Sequence, residues 1–181
     1  AHPAIIFLHG FPESNRTWRH QMAHFADRFY CIAPDQRGYR GTSKPKEVEA
    51  YTADKLTADI FALADALNVQ QFVIAGHDWG GAIAWSVALN GQPDAPNPAW
   101  AGRVRRAVIA NAPHPYLFQR LLITDMNQRA SSQYMIDFRD TANDALVQDQ
   151  GLTGLMLKTV KWDKPSAMEP EERTALLADW A

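Results

Sequence analysis

A single cysteine, Cys31, is all the thiol chemistry the chain has, so no internal disulfide can form. It sits in the apolar run Phe29-Tyr30-Cys31-Ile32-Ala33, where a free cysteine acts as a small hydrophobe. That usage fits a reducing compartment, and the expected location is cytoplasmic. No apolar run approaches the ~20 residues a membrane helix needs, and no membrane partner is expected. Charge of one sign is not in excess either: 18 Lys and Arg stand against 20 Asp and Glu, a formal net charge of −2. That balance argues against a nucleic-acid or anionic-membrane partner. Internal repeats and low-complexity tracts are missing, and no signal peptide is visible in this stretch of chain. No ligand cluster has metal spacing and no phosphate-cradling glycine loop occurs, so neither a metal nor an organic cofactor is expected.

What is present suits a soluble globular domain: 181 residues, 46% hydrophobic and 21% charged. Four short apolar runs are each closed by Gly or Pro. They are Ala4–Leu8, Phe29–Ala33, Gln71–Ala75 and Ala107–Ala110. Continuous apolar runs of this length predict strands buried on both faces, as in a parallel sheet. Helical patterns separate them, over Thr17–Phe25, Tyr51–Leu67 and Gly80–Leu89. The second is the clearest, with Leu56, Ile60, Leu63 and Leu67 at helical spacing and Asp54 in the first turn. Strand alternating with helix predicts a doubly wound, mostly parallel α/β sheet. Residues Gly91–Pro98 read as a proline-rich surface loop. After Pro113 the pattern turns helical, with candidates over Tyr116–Ile123, Met126–Arg139 and Pro170–Trp180. The expected division is therefore a core over residues 1–112 and a helical cap over 113–181.

Gly76-His77-Asp78-Trp79-Gly80-Gly81 joins the third run to a helix. Its form is Gly-x-nucleophile-x-Gly, with Asp in the nucleophile's place. The turn is sharp, and a side chain at Gly76 or Gly80 is expected to collide with the neighbouring helix and strand. It lifts Asp78 above the carboxyl edge of the sheet, at a helix N-terminus that favours an anion. A lone Asp before a helix is more often an N-cap. The glycine frame reverses that preference and makes Asp78 the candidate nucleophile. His9-Gly10-Phe11-Pro12 follows the first run. Alone, His9-Gly10 would be an ordinary strand-end turn. Beside a nucleophile turn it is an oxyanion loop, with donors expected from the N–H groups of Phe11 and Trp79.

These stretches resemble the epoxide hydrolase and haloalkane or haloacetate dehalogenase branch of the α/β-hydrolases. The likeness rests on His9–Ser14 with Trp18, on Asp35-Gln36-Arg37-Gly38-Tyr39 followed by Gly41-Thr42-Ser43, on Gly76–Gly81, and on Asn111-Ala112-Pro113-His114-Pro115. It covers nearly all of residues 4–140. The resemblance implies an α/β-hydrolase fold with a cap and a small-molecule substrate. It also implies a hydrolase that forms a covalent alkyl-enzyme ester on Asp78, most like an epoxide hydrolase. A dehalogenase is the first alternative, and a non-catalytic ligand-binding protein on the same fold is the second. Trp79 offers an indole N–H to a leaving group in either enzyme. Arginine, which haloacetate enzymes tend to carry after the nucleophile, is missing.

Two departures stand out. Arg40 replaces the usual glycine of the Asp-x-Arg-Gly-x-Gly loop, so that loop is expected to be rearranged, with Asp35 and Arg37 structural. The insertion around Pro93–Pro98 is long for the family. The histidines are His2, His9, His20, His24, His77 and His114. None stands late in the chain, where the resemblance places the water-activating one. Nor does a carboxylate follow Ala110. The chain is thus expected to be a piece of a longer protein, inactive by itself. In the cap, Ala130, Tyr134 and Asp137 share a face of the expected Met126–Arg139 helix. Epoxide hydrolases place a ring-opening tyrosine there, just before an aromatic. Aligning Phe138 with that aromatic puts Asp137 in the tyrosine's place. Tyr134 and Asp137 therefore join Trp79 as expected substrate-binding residues.

Overall fold

The computed structural model describes residues 2–159 and 168–180. The chain divides into two compact units, Ala1–Pro115 and Tyr116–Ala181. The apolar runs of the first unit form four parallel strands among the described residues. These are β1 (Ala4–Leu8), β2 (Tyr30–Ile32), β3 (Phe72–His77) and β4 (Val104–Ala110), in the order β2-β1-β3-β4. Between them lie α1 (Arg19–Phe25), α2 (Ala53–Ala66) and α3 (Trp79–Asn90). Two 3₁₀ turns, Asn15–Trp18 and Val48–Tyr51, precede α1 and α2. They take in Thr17, Trp18 and Tyr51, the opening residues of the expected first and second helices. Ser14 starts the first turn by accepting a hydrogen bond from the Arg16 N–H.

The doubly wound parallel sheet follows directly from side-chain alternation. Ala4, Ile6 and Leu8 of β1, with Phe72 and Ile74 of β3, share one buried cluster with Leu56, Ile60 and Phe61 of α2 and Ile83, Ala84 and Val87 of α3. Ile5, Phe7 and Ala75 face the other way, onto Trp18, Met22 and Phe25. A strand covered on both faces has no solvent-facing position, so it reads as a continuous apolar run. Fully burying one side chain such as Leu8 or Phe61 is worth roughly 1.5–3 kcal/mol.

β4 departs from the expectation of burial on both faces. Arg105, Arg106, Ala107 and Val108 are exposed. Among the described residues the strand pairs with β3 alone, and no described strand in this stretch of chain covers its other side. Its apolar run was the same local signal as that of β1, which carries no information on position in the sheet.

The second unit is helical among its described residues. α4 (Pro115–Thr124) opens at the unit boundary, followed by α5 (Met126–Ser131), α6 (Gln133–Asp137), α7 (Ala142–Thr159) and α8 (Pro170–Asp179). The single helix expected over Met126–Arg139 is two short ones. Ser132 interrupts it (φ −99°, ψ 4°), and its N–H is shared between the Gln128 and Arg129 carbonyls. Adjacent serines, which hydrogen-bond locally and are poor helix formers, account for the break. α7 was not foreseen. Gly151 breaks it (φ 66°, ψ 164°), and the break divides the periodicity that would have marked it. No helix among the described residues is long and apolar enough to cross a membrane.

Candidate active site

The strand order creates the site. From β1 the chain crosses to β2 on one side, then returns past β1 to β3 on the other. The winding reverses between β1 and β3, and their carboxyl ends splay into the crevice where open α/β folds bind ligands. Register sets the two following loops level. Leu8 pairs with Gly76, so Gly10 falls beside Asp78, two residues beyond each.

Asp78 occupies a sparsely populated backbone conformation, φ 53° and ψ −123°. Such a residue costs about 1–3 kcal/mol and persists only where its surroundings over-determine it. Here they do. The Asp78 N–H donates to the Ala110 carbonyl at 3.1 Å, and the Asp78 carbonyl accepts from Ala82 N–H at 3.0 Å. The side chain makes no capping bond to α3, although Asp78 stands at its N-cap. Its carboxylate Oδ1 instead accepts from the Phe11 N–H at 2.9 Å. Trp79 is the first residue of α3, so its N–H is one of the four without an intrahelical acceptor.

The glycines mark close approaches. A Cβ on Gly10 would lie 2.6 Å from the Asp78 Cβ and 2.8 Å from its Oδ1. One on Gly76 would lie 2.8 Å from the Ala84 Cβ, and one on Gly80 would overlap the Leu8 and His9 carbonyls. These are the collisions expected at Gly76 and Gly80.

Three neighbours of Asp78 went unassigned in the sequence. Glu13 and His77 face each other at 3.4 Å between Oε2 and Nδ1. Both atoms are buried, and the geometry does not make a hydrogen bond. Tyr39 stands edge-on to the His9 ring at 4.6 Å. Its phenol is pushed up to about 12, first by burial and then by the charges of Asp78 and Glu13. All three lie inside the recognised motifs, but only the fold brings them together.

Tyr39 gives a pH test. Its folded value lies above the ordinary ~10 of an unfolded tyrosine. The folded state therefore holds the proton more tightly, and the stability this contributes is complete below about pH 10. It is lost as pH rises through about 12. Tyr39→Phe should flatten the alkaline fall in the denaturation midpoint. Asp78→Asn should lower the Tyr39 titration midpoint by removing one of the charges. An alkaline profile identical in wild type and Tyr39→Phe would contradict this environment.

The loop after β2 is held as expected at two positions. Arg37 makes two hydrogen bonds to the Asp59 carboxylate, at 2.8 and 2.5 Å, and one to the Ala50 carbonyl. The Asp59 hydrogen bonds, ahead of any other cause, hold the guanidinium still further in its charged form. Asp35 accepts from the Asn15 N–H at 2.8 Å. Arg40 adopts the left-handed conformation whose cost motivated the expectation of a rearranged loop. Its φ is 45°, with its guanidinium 3.4 Å from Asp35. Lys44 also donates to its carbonyl.

Phe11, Asp78 and Trp79 are thus brought together in the first unit. Tyr134 and Asp137 lie in the second, three residues apart on α6, while Ala130 belongs to α5 and not to their helix. Tyr134 is about half exposed, its ring edge-on to Phe138 at 5.8 Å. Asp137 is exposed and accepts from the Gln133 side chain at 3.1 Å. His20 and His24 are exposed on α1.

Similarity to known proteins agrees with this geometry. Residues 3–152 match the model of the alpha/beta hydrolase fold family. Epoxide hydrolase 1 of Caenorhabditis elegans is 35% identical over 138 residues, 76% of this chain and 32% of the relative. Epoxide hydrolase A of Mycobacterium tuberculosis is 46% identical over 88 residues, 48% of this chain and 27% of the relative. A solved epoxide hydrolase of the same superfamily, from metagenomes of hot environments, is 67% identical with a TM-score of 0.86, covering 99% of this chain and 57% of its own. A point mutant of an epoxide hydrolase from Bacillus megaterium, solved with its product (R)-3-[1]naphthyloxy-propane-1,2-diol, is 29% identical with a TM-score of 0.84 over 99% of this chain and 61% of its own. The chain therefore spans 27–32% of these curated relatives and 57–61% of these solved structures. A family match over most of its length, and a strand–Asp78–helix turn built on parallel strands, lead to one conclusion: the chain belongs to the α/β-hydrolase fold family and is epoxide hydrolase-like.

Proposed function

We propose that the whole protein is an epoxide hydrolase acting on a small-molecule substrate through an ester on Asp78. One observation carries the proposal: the Phe11 N–H donates to Asp78 Oδ1 at 2.9 Å. That bond occupies one carboxylate oxygen and leaves Oδ2 to attack an epoxide carbon in line with the breaking C–O bond. The ring oxygen leaves as an alkoxide and takes a proton from a donor, giving a hydroxyalkyl ester. Water then attacks the ester carbonyl carbon, giving its proton to the histidine that the resemblance places later in the whole protein, and that proton goes on to the departing diol oxygen. The charge that develops falls on Oδ1, where the Phe11 and Trp79 N–H groups receive it. Collapse expels the diol and restores the carboxylate. A helical cap over residues 113–181, and substrate-binding roles for Trp79, Tyr134 and Asp137, belong to the same proposal. Ring-opening by Tyr134 is part of the proposal, since a phenol O–H can donate to the ring oxygen whereas a carboxylate only accepts; the alternative is a substrate that is not a simple epoxide. A cytoplasmic setting, suggested by the lone Cys31, belongs to the same proposal.

Single turnover of the whole protein in ¹⁸O-water tests this. Water attacks the carboxyl carbon, so the label should enter Asp78 and the first diol should carry an oxygen from Asp78. Label in the diol alone would mean that water attacks the substrate directly, and the ester proposal would fail.

A further inference from the structure

His9 is buried completely beneath the site, and its hydrogen bonds fix both its tautomer and its purpose. The backbone N–H of Gln36 donates to His9 Nε2 at 3.1 Å. A backbone N–H can only donate, so Nε2 carries the lone pair and Nδ1 the proton. That Nδ1–H then donates to the Gly10 carbonyl at 2.9 Å. The Gln36 side-chain amide donates to the His9 carbonyl, and the Tyr39 ring closes over the imidazole.

The Gly10 carbonyl and the Phe11 N–H are opposite ends of one planar peptide unit, so turning either turns both. The carbonyl end is held by His9 Nδ1–H and by the Glu13 N–H at 3.1 Å. The N–H end is aimed at Asp78 Oδ1. We infer that His9 is a positioning residue: it locks the Gly10–Phe11 peptide so that the Phe11 N–H stays on Oδ1 throughout the reaction. The inference rests on the proposed Asp78 ester.

The lock matters most in the second half of that reaction. A carboxylate attracts the Phe11 N–H by its own charge, whereas the neutral ester carbonyl attracts it less. A loosened peptide is then free to turn away before the oxyanion develops, and the donor must be in place beforehand to stabilise it. Losing the lock should slow ester hydrolysis more than ester formation. The ester then accumulates, and kcat and KM fall together while kcat/KM changes little.

Three variants of the whole protein separate positioning from space-filling. Asparagine places an amide N–H near the Nδ1 position and can restore the bond to the Gly10 carbonyl. Glutamine reaches toward Gln36 instead, and leucine restores neither. His9→Leu and His9→Gln should slow ester breakdown by about 10- to 100-fold, less than the ~10²–10³ that removing one oxyanion donor outright costs. Ester formation should change by less than about threefold, and His9→Asn should recover most of the loss. Amide hydrogen exchange gives a readout without turnover: Phe11 should exchange faster in His9→Leu and His9→Gln than in His9→Asn. Equal slowing of both steps in all three variants, with unchanged Phe11 exchange, would overturn the inference. If wild type forms no ester, the proposed function fails, and Phe11 exchange alone still decides whether His9 locks the peptide.

Discussion

Asp78→Asn is expected to reduce kcat of the whole protein by about 10⁴-fold or more, roughly 5.4 kcal/mol of barrier. The substitution is nearly isosteric. An asparagine Oδ1 still accepts from the Phe11 N–H, which now donates to Asp78 Oδ1 at 2.9 Å. Short polar residues also tolerate positive φ better than most, so the conformation at φ 53° survives. What disappears is the negative charge and the second oxygen that attacks. Folding and activity should therefore separate, with an unchanged denaturation midpoint and lost turnover. Asp78→Asn that retained a tenth of wild-type kcat in freshly purified protein would remove Asp78 from the chemistry.

Gly80→Ala should cost about 3 kcal/mol or more, at the upper end of overpacking penalties. The added Cβ would lie 2.5 Å from the Leu8 carbonyl carbon and closer still to the Leu8 and His9 oxygens. These are backbone atoms, so no rotamer change relieves the clash. α3 would have to move off β1, loosening Ile83, Ala84 and Val87, all at most 1% exposed. Against a typical total of about 5–15 kcal/mol, that is a large share of a domain's stability. Gly41→Ala is the matched control, since a Cβ there meets nothing within 4 Å. It should change stability by less than about 0.5 kcal/mol. Chemical denaturation of both variants gives the comparison, and equal midpoints would mean that α3 does not lie this close to β1.

Much of the first unit was legible in local sequence. The runs at Ala4–Leu8 and Gln71–Ala75 became β1 and, from Phe72 on, most of β3, and the Leu56–Ile60 spacing became the buried stripe of α2. Where local signals were weak or shared, the outcome differed. An apolar run marked β4 but not the exposure of Arg105, Arg106, Ala107 and Val108 within this stretch of chain. One helical pattern at Met126–Arg139 concealed the break at Ser132, and Gly151 hid α7. At Arg40 the steric preference for glycine was correct as a preference, but side-chain and backbone contacts from Asp35 and Lys44 accompany the left-handed conformation.

By itself the sequence determined the strand–helix alternation and the glycine frame of Asp78. Hydrophobic periodicity and Cβ sterics act within a few neighbouring residues, so a short window contains their whole cause. Only the tertiary structure decided that the Phe11 N–H reaches Asp78 across 67 residues of chain, and that Gln36 fixes the tautomer of His9 across 27. Those contacts depend on the order β2-β1-β3-β4 and on the Leu8–Gly76 register. Both are set by how separate segments bury their apolar faces against one another, and no single segment holds that information.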